Sequence, residues 1–104
     1  MKKKMREAMQ MGYLMPCYRF RDADNEKQME KVEEEVKEVF DALIRYMIEP
    51  GRENRMAFLM ECADVQVCME TLMHNLGADE YERMEVRRRV WKKNDDRGYY
   101  DEER

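Results

Sequence analysis

Between Met56 and Met69 only two side chains carry charge, Glu61 and Asp64; the rest are Met, Ala, Phe, Leu, Cys, Val and one Gln. On a helical wheel at about 100° per residue, Glu61 and Asp64 share one narrow stripe with Ala57 and Cys68. Phe58, Val65 and Leu72 flank that stripe on one side, Met60 and Val67 on the other. Gln66, Glu70 and His74 form the expected polar outer face. Two carboxylates are thus set into an apolar surface, and burying an unpaired carboxylate is costly. Any fold of this chain must answer those charges with an arginine such as Arg45 or Arg87, a shared proton, or a metal.

An acid-rich helix precedes this stretch. Val32, Val36, Val39, Phe40, Leu43, Ile44 and Met47 recur at three-four spacing and predict a buried stripe from about Glu26 to Ile48. Asp24 or Asn25 is the expected N-cap, and Pro50-Gly51 ends the helix. Glu35 and Glu38, three apart, point the same way, and Ala42 one turn on leaves room beside them. Antiparallel packing would bring this pair to Glu61 and Asp64. The result is an oxygen-only set suited to a hard cation, Mg2+ or Mn2+. A solvated acidic face is the plainer reading of the Glu30–Glu38 run.

Two more helices follow from the same pattern, one from about Arg52 to Leu76 with Gly77 as its stop, and one from about Asp79 to Lys93. Asp95-Asp96-Arg97-Gly98 breaks the last. With only four glycines and two prolines in 104 residues, and no strand-like alternation, the fold class is all-α. The expected architecture is a bundle of three long helices, with room for a short helix within residues 1–11. The division is an N-terminal arm, 1–25, and a helical domain, 26–104. A chain this short covers little apolar surface alone. Methionine and valine stripes on more than one face of the Arg52–Leu76 helix therefore predict a core completed by a second copy.

A net charge of -4 argues against a nucleic-acid polymer as partner. The three cysteines, Cys17, Cys62 and Cys68, fit no zinc spacing and read as reduced thiols in a cytoplasmic protein. No apolar run is long enough to span a membrane. A carboxylate-bridged di-iron or di-manganese site needs Glu-x-x-His twice. The only histidine is His74, and Thr71 stands three before it.

The run Glu34-Glu35-Val36-Lys37-Glu38, followed on the next helix by Glu61-Cys62-Ala63-Asp64, resembles the MazG-like nucleoside triphosphate pyrophosphohydrolases. These are related to the all-α dUTPases and the phosphoribosyl-ATP pyrophosphohydrolases. The ExxE motif is Glu35 to Glu38 and the ExxD motif Glu61 to Asp64. Lys93-Asn94-Asp95-Asp96-Arg97-Gly98-Tyr99-Tyr100 is similar to the family's C-terminal segment. Over residues 26–101, the resemblance implies a homodimer or tetramer that cleaves a nucleoside triphosphate to the monophosphate and pyrophosphate. It implies Mg2+ held by Glu35, Glu38, Glu61 and Asp64, with Glu35 and Glu38 catalytic. Residues 1–25 lie outside it, so Tyr13, Tyr18 and Phe20 leave the choice of base open.

Among the basic residues from Arg83 to Arg97, Lys93 and Arg97 are the expected phosphate contacts, with Asn94 donating a hydrogen bond. Arg87, Arg88 and Arg89 cannot all face one site, and a solvated or intersubunit face accounts for them. Trp91 is expected in the core rather than on a base, and His74 on the surface near a helix end. The competing functional class is a helical adaptor or nucleotide-binding module, in which the acids only form salt bridges.

Overall fold

The computed structural model describes residue 3, residues 14–20 and residues 24–102. Three helices follow a short 3-10 turn at Tyr18–Phe20: α1 (Asn25–Ile48), α2 (Arg52–Asn75) and α3 (Glu80–Asp96). Among the described residues there is no strand. No described helix is long and apolar enough to cross a membrane. Of the expected helix within residues 1–11, all but Lys3 lies outside the described residues.

The helix ends follow local chemistry. Asp24 caps α1, its Oδ1 accepting the Lys27 N–H at 2.8 Å. Asp79 caps α3 in the same way, accepting the Glu82 N–H at 2.9 Å. Each satisfies a donor that the first helical turn leaves orphaned. Gly77, with φ of 94°, ends α2. Its N–H donates to the His74 carbonyl, and the next N–H, of Ala78, reaches back to Met73. Gly98, with φ of 74°, ends α3 through the same pair of bonds, to Asp95 and Asn94. Both positions need a left-handed backbone, which glycine adopts without a Cβ clash. α3 runs three residues past the expected Lys93, because nothing before Gly98 forces it to stop.

α1 and α2 form an antiparallel hairpin across the turn at Pro50-Gly51, where the Asn54 side chain donates to the Glu49 carbonyl at 2.9 Å. α3 meets α2 near its first turns, through Arg83 and Arg87. That docking overturns one expectation. Glu70, placed on the outer face of α2 by the wheel, is 1% exposed. Arg83 Nε donates to its Oε1 at 2.6 Å, and Arg87 donates to Oε2. A polar face can be buried when the covering helix brings its counter-charges with it.

The apolar stripe of α1 divides. Val32, Val36, Val39 and Leu43 are half-buried, whereas Phe40, Ile44, Met47 and Ile48 are exposed. Ala42 and Pro16 are the only buried apolar side chains among the described residues. Trp91, expected in the core, is 60% exposed, because it lies on α3 beyond the turns that touch α2. The Cα radius of gyration is 16.1 Å, against about 13 Å for a compact domain of this length.

Residues 14–20 lie along the C-terminal half of α2. The Cys17 N–H donates to Thr71 Oγ1 at 2.9 Å, and the Asn75 amide donates to the Phe20 carbonyl at 2.9 Å. The Tyr18 ring meets His74 edge-on, with centroids 5.1 Å apart.

Candidate metal centre

The hairpin register decides what the acids can do. Glu35, Glu38 and Glu61 each place a carboxylate oxygen within 4.8 Å of the other two. Glu35 and Glu38 come from one face of α1, and Glu61 from the facing turn of α2. Asp64, one turn further along α2, is exposed. It lines a cavity of about 470 Å³ together with Glu35.

Burial makes the cluster unusual. Glu35 is 8% exposed. Its Oε1 lies 2.8 Å from Lys31 Nζ, one turn back on α1. Its Oε2 is buried with no hydrogen-bond partner, as is Oε2 of Glu61. Partial withdrawal from water pushes the Glu38 carboxyl above the usual carboxylate range. The negative charges of Glu35, Glu61 and Glu34 and a hydrogen bond with Glu61 add to that shift. Lys31 is raised in turn by its contact with Glu35.

The arginine alternative is not what forms. Arg87 pairs with Glu70, and among the described residues no ion pair reaches Glu38, Glu61 or Asp64. Two orphaned, buried oxygens on neighbouring carboxylates could supply part of the oxygen shell of a hard divalent cation. Like charges in one place otherwise repel, and one member is driven toward its protonated form. Glu35, Glu38 and Glu61 could together hold a metal ion.

Lys93, Asn94 and Arg97 lie elsewhere, in the last turn of α3 and at its cap. Asn94 donates to the Tyr100 hydroxyl at 3.3 Å, and the Arg97 guanidinium lies over the Tyr99 ring, 5.8 Å from its centroid. None of the three lines the cavity. Among the described residues, no hydrogen bond or ion pair joins them to the acids. Lys31, in contact with Glu35, was not singled out from the sequence. Its signal was there: a lysine four residues before a glutamate on one helix is a favourable pair.

Compared with known protein families, with characterised proteins and with solved structures, the chain matches none.

Proposed function

We propose that the chain hydrolyses a nucleoside triphosphate to the monophosphate and pyrophosphate in the manner of the MazG-like pyrophosphohydrolases. In this reading Glu35, Glu38, Glu61 and Asp64 hold Mg2+, or Mn2+ in its place. The observation that carries it is the convergence of Glu35, Glu38 and Glu61 with two buried carboxylate oxygens unpartnered.

Bound Mg2+ supplies charge to the phosphate oxygens and makes water a better nucleophile. The protein side chains do the rest. One of the glutamates not fully committed to the metal would accept a proton from the attacking water. Lys31 holds Glu35 in place through its Oε1, while Oε2 is buried without a hydrogen-bond partner. One water is consumed, one phosphoanhydride bond is cleaved, and both products leave as anions.

Lys93, Asn94 and Arg97 serve the phosphates in this reading when a second copy of the chain presents them. The exposed Phe40, Ile44, Met47 and Ile48 on α1 support such an assembly, a homodimer or tetramer. The same exposed face favours the second reading, a helical adaptor whose acids bind no metal.

Pyrophosphate release from a panel of ordinary and modified nucleoside triphosphates separates the two. The assay is run with Mg2+ and with EDTA, beside Glu38→Gln and Asp64→Asn. Magnesium-dependent release lost in both variants is the expected result. No release on any triphosphate, with no thermal shift on adding Mg2+, leaves the adaptor.

A further inference from the structure

The cavity beside the acids is elongated along the hairpin, and its two ends differ. One end is bounded by Glu35 and Asp64. The other is bounded by Phe20 from the N-terminal arm, Gln28 from the start of α1 and Leu72 from α2. Glu35 and Gln28 are seven residues apart on one helix, a span of about 10 Å at ~1.5 Å per residue. That is comparable to the reach of a nucleotide from its first phosphate, across the sugar, to its base.

Lys27 and Lys31, one turn apart, line the same cavity along α1, while Val67 and Cys68 make the opposing wall on α2. A volume of about 470 Å³ lies within the range of small-molecule sites. A purely apolar ligand would leave the two lysines and two carboxylates without purpose, and a bare anion would leave the apolar end empty. A ligand with a flat heterocycle at one end and phosphates at the other uses both.

We propose that this cavity receives the nucleoside part of the substrate, with the base against Phe20 and Leu72 and the phosphates passing Lys31 toward Glu35 and Asp64. The inference rests on the reaction proposed above and adds to it the location of the base. Phe20 offers an accessible aromatic face, being 55% exposed at the mouth. Gln28 and Leu72 close that end of the cavity from the two facing helices. The arm is held over this end by the Cys17–Thr71 and Asn75–Phe20 hydrogen bonds. Selectivity among bases is thereby assigned to residues 17–20, outside the acidic motifs.

The wall contains its own reporter. Cys17 is exposed and lines the cavity, whereas Cys62 does not line it. Alkylation of the intact protein by iodoacetamide, followed residue by residue by mass spectrometry, reads occupancy without needing turnover. A panel of nucleoside monophosphates and, separately, pyrophosphate are added with Mg2+. At about ten times its dissociation constant, a nucleoside monophosphate leaves about a tenth of the sites free, so Cys17 should react roughly tenfold more slowly. Cys62 should be unchanged, and pyrophosphate alone should not protect Cys17. Phe20→Ala should raise the monophosphate concentration giving half protection by about fivefold or more.

If triphosphates are hydrolysed but no monophosphate protects Cys17, the base binds elsewhere and the inference falls. Protection without any hydrolysis keeps the pocket and removes the reaction. Equal protection by pyrophosphate and monophosphate would mean that the cavity holds phosphate only, which also overturns it.

Discussion

Two acids on α2, Glu70 and Glu61, are handled in opposite ways. Glu70 is closed between Arg83 and Arg87, with one oxygen to each. Glu61 stands beside Glu35 and Glu38 of α1, where Lys31 pairs with Glu35 and the second oxygens of Glu35 and Glu61 are left without a hydrogen-bond partner. The first group is complete within the chain, and the second is not. A neutralised acid of this kind builds structure, whereas three acids sharing one lysine are a candidate place for a cation.

The sharpest way to break this contrast is to remove one acid from each group. Glu70→Ala leaves two guanidinium groups facing one another without a counter-charge, and should destabilise the fold by about 3 kcal/mol or more in urea unfolding. Glu38→Gln should act in the other direction on the metal-free protein, raising its melting temperature by relieving repulsion. Equal destabilisation by both would erase the distinction. In the pyrophosphate assay Glu38→Gln should lower turnover by about 100-fold, since even partners outside a metal's immediate ligands cost about 10–100-fold.

Magnesium sharpens the comparison further. At about 100 times its dissociation constant it should stabilise the wild-type protein by about 2.7 kcal/mol. Glu38→Gln should lose most of that response, whereas Arg88→Ala, on the exposed side of α3, should keep it.

The pH dependences are smaller and run opposite ways. Glu38 is raised above the usual carboxylate range. Its contribution to metal-free stability is therefore present in acid and lost as pH rises through that raised value. Saturating Mg2+ should flatten this fall. Glu85 is lowered to about 2 by hydrogen bonds from Arg88 and Arg89. Its contribution is present above its ordinary value and disappears as pH falls toward about 2. Arg88→Ala should reduce that acid-side loss, and thermal melts across pH with and without Mg2+ check both slopes.

Much of this architecture was legible in the chain because it is encoded locally. Asp24, Pro50-Gly51, Gly77 and Asp79 mark helix ends through bonds made within a few residues. The i, i+3 acid pairs were legible for the same reason, and packing α1 against α2 was enough to bring three of the four acids together. What depended on distant partners was not legible. The wheel placed Glu70 in solvent because Arg83 and Arg87 are supplied by another helix. Trp91 was expected inside because hydrophobicity does not report where α3 loses contact with α2. The docking of residues 14–20 on α2 uses the backbone N–H of Cys17, the Asn75 amide and the Tyr18 ring against His74, none of which leaves a periodic trace.

The near absence of a buried aliphatic interior, with only Ala42 and Pro16 buried among the apolar side chains of the described residues, bears on how much of the protein a cell must make. If a second copy covers the exposed faces of α1, folding and assembly become one bimolecular equilibrium, and the folded fraction depends on copy number. Dilution alone would then lower the melting temperature. A cell making few copies would hold a pool of half-formed chains open to proteolysis, and activity would rise more steeply than the amount of protein.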